Sequence, residues 1–233
     1  MKVSVIVPAL NEENYIEPTL RAIKAQVCPF KFELIVADGN STDSTVAIAK
    51  KYCDKVVIET TRTIAAGRQA GARASSGKLI IYTDADSIPD KHWVERMAKA
   101  FDDPHVVAAF GMIEPLDASP FETALVSSTT RLFACFFNSV GLDYTYGNNL
   151  AVRRSAFDKI GGFNIYLITA EDTDVIHRIR TQGIVAFVPD ALVRYSTRRI
   201  KKWGWGKYLM FHTKNFLNTF LFKTPAKHYE PVR

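Results

Sequence analysis

The segment Thr83-Asp84-Ala85-Asp86-Ser87 sets two carboxylates one small residue apart, at the end of the apolar, β-prone run Leu79-Ile80-Ile81-Tyr82. In an open α/β sheet, ligands sit beyond the carboxyl ends of the strands. Two acids placed there repel each other unless a positive group stands between or in front of them. A hard divalent cation carrying a phosphorylated substrate meets that need, because Mg²⁺ is usually held by one or two carboxylates together with phosphate oxygens. The same residues also read as a helix N-cap ahead of Pro89-Asp90, so the pair gains its meaning from what else converges on it.

Further polar groups fall just after predicted strands: Asn11-Glu12 after the first and Asp38 after the second. Carboxylates in such positions accept ribose hydroxyls and base N–H groups. Singly, Asp38-Gly39-Asn40 is a turn and Asp43 a helix cap. On one sheet edge with Asp84 and Asp86, they outline a nucleotide pocket. No Gly-x-Gly-x-x-Gly follows the first strand and no Gly-Lys-Ser/Thr loop occurs, which argues against a Rossmann dehydrogenase and a P-loop enzyme. Glu171-Asp172 opens a predicted helix, whose N-terminus keeps a carboxylate ionised, although acids are common in any first turn. Tyr195-Ser196-Thr197-Arg198-Arg199 is a basic turn after a strand, and guanidinium forks suit phosphate oxygens. A solvated basic surface is the competing reading for Arg199, Lys201 and Lys202.

The elements that must position these groups alternate strand and helix. Val3 to Val7, Phe32 to Val36, Lys55 to Ile58 and Lys78 to Tyr82 are predicted strands. Between them lie a helix carrying Ile16, Leu20, Ile23 and Val27, a second through Tyr52, and an Ala- and Gly-rich third from Ala65 to Ser75. Nearly continuous apolar strands in βαβαβαβ order imply an α/β fold, with a mostly parallel central sheet flanked by helices and a Rossmann-like, nucleotide-binding first half. After Pro89 come a helix with Trp93, Met97 and Phe101, a strand from Val106 to Phe110, and a long apolar helix from Pro120 to about Val140. A short strand over Asn149 to Val152, a helix over Glu171 to Thr181 and a strand over Val185 to Val188 complete the pattern. No linker separates the halves, so one domain is expected over residues 1–200, with 1–112 binding the nucleotide and 113–200 building the acceptor side.

The motifs Ser4-Val5-Ile6-Val7-Pro8-Ala9-Leu10-Asn11-Glu12-Glu13, Val36-Ala37-Asp38-Gly39-Asn40-Ser41-Thr42-Asp43-Ser44-Thr45 and Thr83-Asp84-Ala85-Asp86 together resemble glycosyltransferase family 2. So do Ala65-Ala66-Gly67-Arg68-Gln69-Ala70-Gly71-Ala72, Gly147-Asn148-Asn149-Leu150-Ala151-Val152-Arg153-Arg154 and Ala170-Glu171-Asp172-Thr173-Asp174. They run in the family's order over about residues 1–200. The resemblance implies a GT-A fold, a nucleotide-diphosphate sugar donor (UDP- or GDP-linked) and inversion at the anomeric carbon. It implies that Pro8, Ala9, Asn11 and Glu12 line base and ribose, that Asp38 binds base or ribose, and that Arg68 approaches the nucleotide. Asp84 would face the ribose with Ala85 beside it, and Asp86 would hold Mg²⁺ or Mn²⁺ on the diphosphate. Arg198 and Arg199 match an Arg-rich segment that folds over the diphosphate. Asp172 would be the general base, with Glu171 and Asn148 supporting it on the acceptor side. Where this chain has Arg68-Gln69 the family commonly shows Arg-Asn, so no role follows for Gln69.

Three alternatives remain beside transfer to an acceptor hydroxyl. A polyprenyl phosphate acceptor is already an anion and needs no base, which favours the hydroxyl. A sugar nucleotidyltransferase usually opens with a Gly-rich basic loop, absent from Pro8-Ala9-Leu10-Asn11. A non-catalytic nucleotide- or glycan-binding module would not need Asp84, Asp86 and Asp172 together. The partners expected are thus a nucleotide-sugar donor and a glycan or lipid-linked acceptor, not a nucleic acid.

Composition fits a protein with a substantial core: 233 residues, 47% hydrophobic and 23% charged. The net charge of +6 is concentrated at the C-terminus, where residues 194–233 carry ten Lys or Arg against Glu230. Cys28, Cys53 and Cys135 are odd in number and scattered, arguing against a disulfide framework and for a reducing, cytoplasmic setting. The opening residues read as a strand rather than a leader, and no stretch approaches ~20 uninterrupted apolar residues. Residues 201–233 interleave Trp203, Trp205, Tyr208, Phe211, Phe216 and Phe220 with Lys207, Lys214 and Lys223. Such a basic aromatic tail either lies peripherally in a membrane interface or packs on the core or on a second subunit of a homodimer.

Overall fold

The computed structural model describes residues 1–140, 145–222, 225–226, 228–230 and 232. Lys223 and Lys227 of the basic tail, Arg233, and the side chains of Phe216 and Phe220 lie outside the described residues.

Four strands are parallel: β1 (Val3–Ala9), β2 (Phe32–Asp38), β3 (Lys55–Ile58) and β4 (Leu79–Tyr82). Their residues alternate between two apolar layers. Val3, Val5, Leu79 and Ile81 face one side, packing with α1 (Ile16–Lys24), α2 (Thr45–Ala49) and α4 (Trp93–Lys99). Ile6, Ile80 and Tyr82 face the other, with α6 (Arg154–Lys159) and α7 (Glu171–Ile179). Burial on both faces explains why these strands read as continuous apolar runs. Val27, part of the helical spacing expected for α1, lies beyond its end and is exposed.

The second half supplies the antiparallel pairings of this mostly parallel sheet. β7 (Leu150–Arg153) runs antiparallel between β4 and β6 (Val106–Pro115); β8 (Ile184–Tyr195) is parallel to β6, and β5 (Ser87–Pro89) closes the edge antiparallel to β8. The sheet order is β3-β2-β1-β4-β7-β6-β8-β5. Tyr82 pairs with Leu150, so the exit from β4, carrying Asp84 and Asp86, faces the entry to β7, carrying Gly147 and Asn148. That juxtaposition is the structural use of the antiparallel insertion.

Two local devices fix this corner. Asn149 is fully buried; it accepts from Trp93 Nε1 at 2.8 Å and donates from Nδ2 to the carbonyls of Met112 and Ala191, each at 2.8 Å. It spans the register shift at Gly111/Met112, where a Cβ on Gly111 would stand 2.1 Å from the Ala191 carbonyl. The second device is α3 (Ile64–Ala74), whose small residues let it lie close on β1: a Cβ at Gly71 would meet Ile6 Cγ2 at 2.4 Å. Close packing carries Arg68 over the sheet edge.

The remaining long helices are α5 (Pro120–Ser139) and α8 (Arg198–Phe222), the latter kinked where Gly204 adopts φ 74°. After α8 the chain turns back: Tyr229 stacks on Phe211 at 5.3 Å, and Ala226 accepts from Thr169 Oγ1 at 2.9 Å. The three cysteines are free, and no described helix is long and apolar enough to cross a membrane.

Candidate active site

Two adjoining cavities open at the carboxyl edge of the sheet. One, of about 360 Å³, is lined by Pro8, Ala9, Glu12, Asp84, Asp86 and Arg198 among others. The second, of about 630 Å³, holds Arg68, Gly147, Glu171 and Asp172 together with α5 residues such as Phe133. Asp84, Asn148, Tyr195, Tyr208 and Tyr229 belong to both walls.

In the smaller cavity a single guanidinium gathers the acids. Arg198 forks onto Glu12, with Nη1 and Nη2 each 2.7 Å from a carboxylate oxygen, and its Nε lies 3.0 Å from Asp86 Oδ2. The Tyr15 ring lies 4.5 Å beneath it. Burial raises the Asp86 pKa to about 6; Arg198 opposes the rise, and Asp84 and Glu12 add to it. Burial is the largest cause of this rise, and a cation set against Asp86 would favour its ionised form. Among the described residues no cluster of three or more ligating side chains could hold a metal unaided. One carboxylate completed by phosphate oxygens is, however, an ordinary Mg²⁺ or Mn²⁺ environment, so the residues fit a metal that arrives with a diphosphate.

The larger cavity has a second guanidinium with its own acids. Arg68 is 2% exposed; Nη2 donates to Asp84 Oδ1 at 2.9 Å and Nη1 to Glu171 Oε1 at 2.5 Å. Burial disfavours its charge, but Asp84, Glu171 and Asp172 outweigh that and hold its pKa above the ordinary range. A Cβ on Gly147 would lie 2.5 Å from Arg68 Nη1, so glycine is needed for this approach. Asp172 accepts the Gly147 N–H at 2.8 Å and the Thr173 N–H at 2.7 Å, which orients its carboxylate. Burial raises its pKa, with Arg68 and these two N–H groups acting in the other direction. Burial likewise raises Glu171, against Arg68. Ala170, just before α7, holds a left-handed φ of 59°, a conformation that turns the chain into the helix at this corner.

Several expected residues take other positions. Asp38 is fully buried, and Ser41 occupies both of its oxygens, at 2.7 and 2.5 Å, so it shapes the turn after β2 rather than lining the cavity. Asn11, at φ 54°, accepts the Thr42 N–H at 2.8 Å and ties this turn to the one after β1. Arg68, expected beside the nucleotide, instead faces Glu171 and Asp84. Arg199 lines the cavity but lies 3.8 Å over the Tyr229 ring and donates to the Glu230 carbonyl, anchoring the returning C-terminal segment. Gln69 accepts the Phe163 N–H at 2.8 Å, a packing role. Ala85 lines the smaller cavity, and its carbonyl accepts from Thr19 Oγ1 at 2.8 Å. Sequence reasoning did not single out Gly147 or Tyr229; the first stood inside a quoted motif, and nothing local marks the second.

Comparison with known proteins agrees with this arrangement. Residues 4–172 match the family model for Glycosyl transferase family 2. The probable glycosyltransferase YdaM of Bacillus subtilis is 30% identical over 211 residues, 82% of this chain and 50% of that protein. Glycosyltransferase AglE of Haloferax volcanii is 27% identical, with 78% of this chain and 62% of that one covered. The chain thus spans half to two thirds of the length of these relatives. Among solved structures, Staphylococcus aureus TarS 1-349 in complex with UDP-GlcNAc superposes with a TM-score of 0.69 at 21% identity, covering 85% of this chain and 59% of that one. The mannosyltransferase PcManGT from Pyrobaculum calidifontis, in complex with GDP-Man and Mn²⁺, gives 0.68 at 23% identity over 91% and 60%. These likenesses bear out the expected GT-A fold. With the family model matched over most of its length and the acidic pairs gathered on one sheet edge, this chain belongs to glycosyltransferase family 2.

Proposed function

We propose that the protein transfers a sugar from a nucleoside-diphosphate sugar to an acceptor hydroxyl with inversion, Asp172 acting as general base. The observation that carries this reading is the separation of roles across one shared wall. Asp86 and Arg198 lie in the smaller cavity, Asp172 in the larger, and Asp84 and Asn148 border both. A UDP- or GDP-sugar, the ligand class in the neighbours solved with UDP-GlcNAc and GDP-Man, would lie in the smaller cavity and present its anomeric carbon towards the larger one.

The acceptor O–H gives its proton to Asp172 as its oxygen bonds to the anomeric carbon, and the bond from that carbon to the diphosphate oxygen breaks on the opposite face. Gly147 and Thr173 N–H groups hold the Asp172 carboxylate in place for this transfer. Asp86 would hold Mg²⁺ or Mn²⁺ against the diphosphate, where a bound cation offsets charge developing on the leaving group. Arg198 would exchange its carboxylate partners for phosphate oxygens. A polyprenyl phosphate acceptor would meet the negative charge of Glu171 and Asp172, which favours a hydroxyl.

Thermal shifts with UDP-, GDP- and dTDP-sugars, with and without Mn²⁺, test the donor half. Metal-dependent stabilisation by one nucleotide class is expected, and its absence for all of them would overturn the reading.

A further inference from the structure

On the two helices that wall the larger cavity, many large apolar side chains stand outward. α5 turns Thr123, Ser127, Thr130 and Ala134 inward and presents Phe121, Leu125, Leu132 and Phe136 to solvent, with Phe121 77% and Leu132 67% exposed. Beyond Gly204, α8 places Tyr208, His212, Asn215 and Thr219 on its less exposed side, while Met210 and Leu217 stand outward, Met210 at 67%. The inward sets recur at three- and four-residue spacing and the outward residues stand four or seven apart, so each set runs as a stripe along its helix. A helix facing water ordinarily presents polar residues on its outer side, and exposed apolar side chains grouped in this way mark a docking site.

Charge selects the occupant. From Trp205 to Phe222, α8 contains Lys207 and Lys214 and no Asp or Glu, with Lys207 also reaching Glu230 at 3.4 Å. On α5 the charges are Arg131 and Glu122, and Glu122 is engaged by Ser119 at its N-terminus. An apolar face edged with cations, with Trp205 at its margin, suits the headgroup boundary of an anionic bilayer. A second copy of this chain would instead bring like charges together. No described helix can cross a membrane, so the contact is one of lying on the surface.

We propose that the outer faces of α5 and α8 together dock on an anionic lipid bilayer. This enlarges the tail contact expected from sequence to a surface of two helices, and it stands independently of the glycosyl-transfer reading. Because the same helices wall the cavity holding Asp172, docking brings the acceptor side to the lipid surface.

Flotation with phosphatidylcholine vesicles, with and without phosphatidylglycerol, tests this directly on the whole chain. Binding is expected only with phosphatidylglycerol and should weaken as salt rises. Lys207→Gln with Lys214→Gln should lower partitioning about five- to thirtyfold, Lys214 contributing the larger share. Leu132→Ser with Met210→Ser should abolish it while the melting temperature of the free protein is kept, which separates lost docking from lost folding. Failure to float with anionic vesicles, or flotation unchanged in both double variants, overturns the proposal. So does a concentration-dependent dimer in sedimentation that only the Ser variants disperse.

Discussion

Two guanidinium centres, Arg198 and Arg68, each hold a pair of carboxylates, yet they are built from opposite materials. Arg68 comes from a helix packed on the central sheet, is 2% exposed, and binds acids 16 and 103 residues away. Arg198 comes from the first turn of α8, is 17% exposed, and binds Glu12 and Asp86 at the rim of a cavity. A buried ion pair cannot lose one member without stranding the other's charge, whereas a half-buried one can trade partners with an incoming anion. The first centre therefore behaves as framework for Asp172 and the second as a holder of ligand positions.

The sharpest break in this comparison is Asp172→Asn. It should lower kcat by about 10²–10⁴-fold while leaving the donor-induced thermal shift in place; full turnover would remove Asp172 from the role of base. Next is Arg68→Met, expected to cost about 3–5 kcal/mol in urea unfolding, because Glu171 and Asp84 lose their shared cation. Arg198→Met should spare most of that stability yet weaken donor affinity about 10–100-fold, as loss of hydrogen bonds to charged phosphate does. Equal stability losses at the two arginines would erase the distinction drawn here. Gly147→Ala, which pushes a methyl against the Arg68 guanidinium, should cost about 1–3 kcal/mol and reduce activity in step. The mildest test is pH. The base must be ionised and its pKa is raised, so kcat/KM should fall with acidity above the ordinary Asp value of about 3.9, over the joint titration of Glu171 and Asp172. An acid limb at or below that value would contradict the burial of Asp172.

Much of the framework could be read directly from residues. β1, β2 and β4 announce themselves as apolar runs ending in acids, and the pairing of Asp84 with Asp86 located the edge where the cavities open. Less legible were β5, three residues ending in a proline, and the length of β8, which runs on to Tyr195 past a bulge. Both depend on pairing with distant strands rather than on local pattern. At the site, the carboxylates were legible and their partners were not. Arg68 and Glu171 stand 103 residues apart, and the antiparallel entry of β7 brings Gly147 up beside Arg68 and Asp172. Asp38 shows the reverse difficulty: its position after β2 looks like that of a ligand-binding acid, yet Ser41 claims it. Tyr229 reaches the cavity wall only because the chain doubles back, which Trp203, Phe211 and Arg199 arrange through ring contacts.

Asn149 has a consequence for motion. Its side chain is bound at once to Trp93, Met112 and Ala191, so the backbone leading into β7 is anchored in the buried layer. Two residues earlier, Gly147 gives its N–H to Asp172. The amide next to the reactive carboxylate is therefore coupled to the slowest-opening part of the molecule, and its exchange with deuterated solvent should keep pace with the strands rather than with surface turns.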